Sequence, residues 1–133
     1  MVHNIETYGE LETLDFMAKK KGVFIDARLK NWYAKSAIPT AVNIPFKLFL
    51  TDTPERDTIL KDLGGVKKGD DWNFENAKSI LLYCNGAWCG QSPTAINALI
   101  AMGYPKSKMK YYRGGMQAWQ LLGLTTIVPK ETK

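Results

Sequence analysis

The fold is decided by residues 80 to 92, which read Ile-Leu-Leu-Tyr-Cys-Asn-Gly-Ala-Trp-Cys-Gly-Gln-Ser. The apolar run from Ile80 to Tyr83 follows a polar stretch and predicts a strand buried on both faces. Cys84 comes directly after that strand. Ser92 and Pro93 predict the start of a helix, because a serine hydroxyl can accept a hydrogen bond from a free backbone N–H and proline is tolerated at the first helical position. The Cys84 thiol is therefore expected to face a helix amino terminus.

This position predicts a thiol with a lowered pKa. Backbone N–H groups and the helix dipole stabilise an anion at a helix amino terminus, and a thiolate is an anion. Lowering the pKa from ~8.5 to ~6.5 corresponds to roughly 2.7 kcal/mol, whereas one exposed helix dipole supplies only about 0.3 to 1 kcal/mol. Several N–H groups must therefore converge on the sulfur, and Gly86 and Gly90 are expected to let the loop curl around it. The alternative is a cysteine that only packs in the core, as free cysteines often do.

Strand and helix patterns alternate along the rest of the chain. Apolar spacing predicts helices within residues 11–22, 53–63, 93–103 and 116–122, and a turn or short helix at 31–36. Short apolar runs predict strands at 23–26, 41–44 and 109–112, and residues 69–76 are expected to be a polar connection. The alternation predicts a three-layer α/β fold, a mostly parallel sheet with helices on both faces. Ligands are then expected at the carboxyl ends of the strands.

The composition indicates one soluble globular domain. The chain has 133 residues, of which 45% are hydrophobic and 23% charged, and it lacks an apolar run of the ~18 residues that a membrane span requires. We expect an N-terminal extension at residues 1–9, the domain at 10–124 and a C-terminal tail at 125–133. Residues 1–8 lack the segments of a secretory signal, so the expected location is the cytoplasm, or the periplasm for an already trimmed chain.

The charge pattern favours small anionic partners over nucleic acid. The net charge is +5, but the lysines are dispersed and do not interleave with aromatic residues. A Cys–His dyad is not expected, because the only histidine is His3, near the chain start. Two cysteines and this histidine cannot fill a four-ligand zinc site, so neither a metal nor another cofactor is expected.

Charged residues follow two other predicted strands. Asp26 and Arg113 fall at carboxyl ends of strands, as Cys84 does. Asp26 and Arg28 either pair with each other at the surface, or Asp26 supports the neighbouring loops while Arg28 adds positive potential. Arg113 is either a solvated turn residue or a guide for an anion. We treat Asp26, Arg28 and Arg113 as candidate supporting residues.

Two residues inside the loop carry open alternatives. Trp88 either covers the core or is an exposed contact for a substrate or partner. Cys89 is too far from Cys84 for a Cys-x-x-Cys motif, although a disulfide within the loop is geometrically feasible. Cys89 is therefore either a packed residue or one with a resolving or regulatory role.

Four segments together resemble the rhodanese-like domain over about residues 10 to 122. Val-Phe-Ile-Asp-Ala-Arg at 23–28 is similar to the first-strand motif of that family, and Ala-Ile-Pro-Thr-Ala-Val-Asn-Ile-Pro at 37–45 to its second. Tyr83 and Cys84 resemble the active-site strand, and Arg-Gly-Gly-Met-Gln-Ala-Trp at 113–119 resembles the closing motif. The resemblance implies a single-domain sulfurtransferase in which Cys84 carries a persulfide. The implied active-site and substrate-binding loop comprises Asn85, Gly86, Ala87, Trp88, Cys89, Gly90, Gln91 and Ser92.

The chain departs from the family pattern in three respects. Ala37 and Thr40 stand where the family usually has histidine and glycine. The loop is longer than in common single-domain members and lacks the basic residue that they often carry near its end. A longer loop is also similar to that of the cell-cycle phosphatases of this fold, but those need an arginine there to clamp phosphate, and Gln91 carries no charge.

The leading hypothesis is sulfane-sulfur transfer without a cofactor. Cys84 would accept sulfur from a small anionic donor, namely thiosulfate, a polysulfide or a persulfide, and pass it to a thiol, a protein acceptor or cyanide. One alternative is a redox protein in which Cys84 and Cys89 interconvert between dithiol and disulfide. Another is a non-enzymatic sulfur-carrier module, and a phosphatase is a minor alternative.

Overall fold

The computed structural model describes residues 5–86 and 89–129 and consists of one main sheet with helices on both of its faces. The strands are β1 Glu6–Tyr8, β2 Val23–Asp26, β3 Val42–Asn43, β4 Val66–Lys68, β5 Asp71–Asn73, β6 Ile80–Tyr83 and β7 Met109–Tyr112. The helices are α1 Glu10–Ala18, α2 Lys30–Lys35, α3 Pro54–Asp62, α4 Gln91–Ala101 and α5 Gly115–Leu121, and short 3-10 helices occupy Phe46–Phe49 and Lys106–Lys108. The main sheet has the order β1-β7-β6-β2-β3, and every pair in it is parallel.

Strand β6 is the middle strand of this sheet. It pairs with β2 on one side and β7 on the other, and all four of its residues are buried. Ile80 and Leu82 belong to one apolar cluster, whereas Leu81 and Tyr83 belong to a second one. Because successive side chains of a strand point to opposite faces, the two clusters are the two faces of the sheet. The predicted doubly buried strand and three-layer α/β fold are confirmed.

The two clusters receive different helices. The first takes buried residues from α3 and α4, such as Leu60, Ile96 and Leu99. The second takes Phe16 from α1 and Met116 and Trp119 from α5. A parallel sheet needs such cover on both faces, because its strands are apolar on both sides. The carboxyl end of β6 therefore opens between α4 on one face and α5 on the other.

The apolar residues whose spacing predicts the first helix, Leu11, Leu14, Met17 and Ala18, do not form its buried face. Thr13 and Phe16 are the buried residues of α1, whereas Leu11 is 78% exposed and Leu14 is also exposed. The helix ends at Ala18 and not at Gly22. Gly22 does not end the helix but lies against Ser79, where a Cβ would overlap the Ser79 backbone carbonyl.

Several other elements differ from the prediction. Glu6–Tyr8, in the predicted extension, pairs with β7 at the edge of the sheet. The predicted polar connection contributes β5, which forms an antiparallel hairpin with β4. Ile127, in the predicted tail, bridges to Ala37. The last helix does bury Met116 and Trp119, but Leu122 lies beyond its end and is 60% exposed.

Among residues 5–86 and 89–129, the structure has no helix with both the length and the apolar character needed to cross a bilayer.

Candidate active site

Cys84 leaves the carboxyl end of β6 toward helix α4. Its Sγ lies 3.6 Å from the carbonyl oxygen of Cys89 and 3.9 Å from that of Gly86, with the thiol as donor to both. The residue is only 2% exposed. The sulfur is therefore held as a protonated thiol inside the loop, with two carbonyl oxygens toward it.

The predicted lowering of the Cys84 pKa is wrong. Burial raises the pKa of Cys84 to about 11, and the neighbouring Cys89 thiol adds to the effect, while the backbone N–H and the hydroxyl of Ser92 oppose it. The reason is geometric. The Cys89 N–H donates to the Gly86 carbonyl at 3.0 Å, so it is not available to the sulfur. A thiolate here would face carbonyl dipoles with little water, and both disfavour a negative charge.

The start of helix α4 also differs from the prediction. The helix begins at Gln91, with Gly90 as its N-cap, and has no side-chain cap hydrogen bond. Ser92 consequently lies within the first turn, where its hydroxyl is buried beside the Cys84 thiol. A Cβ on Gly90 would meet nothing within 4 Å, so space does not require glycine there. The serine is thus a neighbour of the thiol and not a cap.

The rest of the loop is only partly described. Asn85 is partly buried, Gly86 and Cys89 are buried and Gly90 is exposed. Gln91 is partly buried, and its Oε1 has no hydrogen-bond partner. The predictions for Ala87 and Trp88 lie outside the described residues.

Asp26 and Arg28 form a buried ion pair and not a surface one. They are 0% and 3% exposed, and Arg28 Nη2 lies 2.7 Å from Asp26 Oδ2. The Tyr83 hydroxyl also donates to Asp26 Oδ2, at 2.8 Å. Burial and the charge of Asp26 raise the pKa of Tyr83, which keeps this donor protonated. Of the two alternatives, the surface pair is wrong, because Asp26 ends β2 beside β6 in the middle of the sheet.

Arg28 connects this ion pair to the active-site loop. Its Nη1 donates to Asn85 Oδ1 at 3.2 Å, and its Nη2 donates to the Ser36 carbonyl at 2.6 Å. Burial alone would lower the pKa of Arg28, but hydrogen bonds and the charge of Asp26 outweigh it and raise the pKa. The guanidinium therefore ties the residue after Cys84 to the segment after α2.

The amino terminus of α5 holds the backbone of the loop. The Met116 N–H donates to the Cys84 carbonyl at 2.9 Å, and the Gln117 N–H donates to the Asn85 carbonyl at 2.8 Å. Gly115 has a φ of +58°, and a Cβ there would overlap the Cys84 carbonyl oxygen. Sequence reasoning took this glycine for part of an ordinary turn. The signal for it was the Gly-Gly pair directly before the last helix, but only the fold brings that pair to Cys84.

Arg113 follows β7 and is exposed, and its positive charge affects the pKa of Tyr111. The pKa of Tyr111 is raised to about 12, first by burial and then by the Cys84 and Cys89 thiols, and Arg113 opposes the rise. The tyrosine is thus close enough to Arg113 and to both cysteines to interact with their charges. Arg113 as an anion guide stays a prediction.

A cavity of about 540 Å³ lies beside the loop and is lined by Asn85 but not by Cys84. Asn85 points into it, as expected for a side chain that alternates with Cys84. The Lys35 ammonium lies over the Trp32 ring at 5.1 Å on its α2 side. The lining residues are Arg28, Trp32, Lys35, Ser36, Asn85, Met116, Gln117, Gln120 and Leu121.

Comparisons with known proteins agree with this geometry. The family model of the rhodanese-like domain matches residues 10–122. In the crystal structure of the BH2092 protein of Bacillus halodurans, a chain 19% identical aligns with a TM-score of 0.68, over 92% of this chain and 76% of that one. An uncharacterised protein of Saccharomyces cerevisiae aligns at 25% identity and a TM-score of 0.61, over 90% of this chain and 94% of that one.

A third solved structure carries an activity in its name. The thiosulfate sulfurtransferase of Pseudomonas aeruginosa is 16% identical and aligns with a TM-score of 0.66, over 95% of this chain but only 21% of that one. No match was found among curated proteins. The match to the family model covers most of the chain, and the sheet, the strand-end cysteine and the closing Gly-Gly helix start agree with it. The chain therefore belongs to the rhodanese-like domain family.

Proposed function

We propose that the protein is a sulfurtransferase that carries sulfane sulfur on Cys84. The observation that supports this most directly is the position of Cys84, whose thiol lies at the end of a central strand and against the first turn of α4 in a rhodanese-like domain. Ligands of parallel α/β folds bind at this end of the strands. The thiosulfate sulfurtransferase among its structural neighbours gives the reaction class.

The chemistry needs two displacement steps and no cofactor. In the first, the Cys84 thiolate attacks the outer sulfur of thiosulfate, the S–S bond of the donor breaks, and sulfite leaves with the bonding electrons. Cys84 then bears a persulfide. In the second, a thiol or cyanide attacks the outer sulfur, and Cys84 leaves as a thiolate. The net charge of +5 favours encounter with an anionic donor.

The raised pKa makes deprotonation part of the first step. Because the thiol has a pKa of about 11, only a small fraction is thiolate at neutral pH. The Ser92 N–H lowers the pKa of the sulfur, so it is placed to stabilise the thiolate as the proton leaves. Sulfur uptake is therefore expected to accelerate as the pH rises.

Intact mass spectrometry after incubation with thiosulfate tests this proposal. The wild-type chain is expected to gain one sulfur atom when its mass is measured directly after loading, and peptide mapping of the same sample under non-reducing conditions should locate that sulfur on Cys84. Cys84→Ser should gain none. Asn97→Ala, which alters an exposed side chain of α4, is the matched control and should load like the wild type.

Two outcomes would contradict parts of the proposal. A Cys84→Ser chain that still transfers sulfur to cyanide would exclude Cys84 as the carrier. A wild-type chain that accepts sulfur from a persulfide but never delivers it to cyanide or to a thiol would be a sulfur-carrier module and not an enzyme.

A further inference from the structure

The two cysteines of the chain interact inside the active-site loop. Both are free thiols and both are buried, Cys84 at 2% and Cys89 at 8% exposure. The Cys84 Sγ lies 3.6 Å from the carbonyl oxygen of Cys89, and the two thiols are close enough to affect each other's ionisation. Cys89 is therefore a second thiol beside any sulfur that Cys84 carries.

The loop backbone folds Cys89 back toward Cys84. The Cys89 N–H donates to the Gly86 carbonyl at 3.0 Å, which holds the backbone of these two residues close together. Helix α4 begins two residues later at Gln91 and fixes the far side of the loop. On the near side, the N–H groups of Met116 and Gln117 hold the Cys84 and Asn85 carbonyls. Cys84 is thus held by α5 from one face of the sheet, and Cys89 lies two residues before α4 on the other face.

We propose that Cys89 resolves the Cys84 persulfide, which gives the protein a second activity, the reduction of sulfane sulfur to sulfide. This inference rests on the proposed function. The Cys89 thiolate attacks the inner sulfur of Cys84–S–SH, the bond between the two persulfide sulfurs breaks, and HS⁻ leaves with its electrons. A Cys84–Cys89 disulfide forms. The sulfane sulfur is reduced by two electrons, and the two cysteine thiols supply them.

A low-molecular-weight thiol completes the cycle. Two molecules of the thiol reduce the Cys84–Cys89 disulfide and leave as their own disulfide, which restores the dithiol. An external thiol that attacked the buried persulfide directly would first have to enter the loop. Cys89 is already there, and a positioned intramolecular nucleophile has a large advantage in effective concentration.

The test uses the whole chain, loaded with sulfur from thiosulfate and then freed of donor by gel filtration without any added thiol. The wild type is expected to release about one sulfide per loaded chain and to lose two hydrogens relative to its reduced form. Non-reducing peptide mapping should then find Cys84 and Cys89 joined. Cys89→Ser should keep the extra sulfur on Cys84 and release sulfide at least about tenfold more slowly. Adding a thiol should release sulfide from that variant.

The outcomes separate the two proposals. If the wild type keeps its persulfide as long as Cys89→Ser does, Cys89 does not resolve it, while the sulfur-carrier role of Cys84 stands. Transfer of the extra sulfur to Cys89 without a disulfide also overturns the inference. If neither chain gains sulfur, the proposed function fails and the inference fails with it. The cross-link is read in the wild-type chain, so the result does not depend on the folding of the variant.

Discussion

Asp26 shows how one buried charge is kept in this fold. Its carboxylate accepts hydrogen bonds from Arg28 Nε at 3.0 Å, from the Arg28 backbone N–H at 2.9 Å and from the Tyr83 hydroxyl at 2.8 Å. A carboxylate in the protein interior loses its hydration, and only several charge-assisted hydrogen bonds can compensate for that loss. Asp26 therefore serves to hold Arg28, and Arg28 in turn holds Asn85 of the loop.

Asp26→Asn is expected to destabilise the protein strongly. The variant leaves the Arg28 guanidinium buried without its counter-charge, and removing one partner of a buried pair costs about 3 to 5 kcal/mol. Asp52→Asn is the matched control, because Asp52 is 73% exposed where it pairs with Arg56 and should change stability little. Urea unfolding of both variants measures the difference. Equal midpoints would show that the buried pair contributes no more than the exposed one.

The Cys84 thiol gives a pH prediction with a definite sign. A thiol whose pKa rises on folding holds its proton more strongly in the folded chain than in the unfolded chain. Its contribution to stability is therefore fully present below pH 9.0, the ordinary pKa of the thiol, and is lost between pH 9.0 and about 11. Iodoacetamide reacts with the thiolate, so the rate at which it alkylates Cys84 should keep rising through pH 9 to 10. Peptide mapping measures the alkylated fraction. A rate that levels off near neutral pH would mean that the folded thiol is acidic.

Helix α5 does more than cover one face of the sheet. The N–H groups of Met116 and Gln117 in its first turn donate to the carbonyls of Cys84 and Asn85, so its amino terminus fixes the start of the active-site loop. This close approach needs a residue without a Cβ at the helix start, and Gly115 meets that need with a positive φ. The position of the sulfur thus depends on a helix that is distant in the sequence. Gly114, directly before this helix, is 30 residues after Cys84.

Gly115→Ala is expected to lower both stability and sulfur loading. The new Cβ adds overlap with the Cys84 carbonyl to the strain of a positive φ, for a total of about 2 to 5 kcal/mol. Gly123→Ala is the matched control, because Gly123 has a φ of +70° but nothing within 4 Å of an added Cβ. It should lose only about 1 to 2 kcal/mol and load sulfur normally. Urea unfolding and mass spectrometry of both variants provide the comparison, and equal losses would contradict the role of Gly115.

The sheet as a whole depends on an edge strand outside the family match. β1 pairs with β7 in parallel through Glu6, Thr7 and Tyr8, and Ile5 before it is buried in the first apolar cluster. The match to the rhodanese-like domain begins only at residue 10. β1 thus covers the edge of β7, which would otherwise expose its unpaired backbone groups.

A chain that begins at residue 10 is expected to be less stable and prone to association. It loses the burial of Ile5, worth about 1.5 to 3 kcal/mol, and exposes the backbone groups of β7. A chain that begins at Ile5 keeps the strand and is the control. Urea unfolding and size-exclusion chromatography compare the two chains. If both unfold at the same urea concentration and stay in the same association state, β1 is dispensable.

The sequence by itself determined the elements whose signals are local. The run from Ile80 to Tyr83 is apolar throughout, and Thr53 accepts a hydrogen bond from the Arg56 N–H at the start of α3, as a cap before Pro54 should. The motifs around Asp26, Cys84 and Arg113 likewise predicted the fold and the family. These features depend on neighbours in the chain, and so periodicity, capping and spacing were enough to predict them.

Only the tertiary structure decided the environment of each side chain. Leu11 is exposed and Thr13 buried because the packing of α1 on the sheet, and not its composition, selects the buried face. The Cys84 pKa rises because the fold buries the sulfur and places Cys89 beside it. β1 and the β4–β5 hairpin escaped prediction because short, half-exposed strands form through partners distant in sequence. Burial, loop orientation and strand pairing are set by contacts between distant segments, and a local pattern does not encode them.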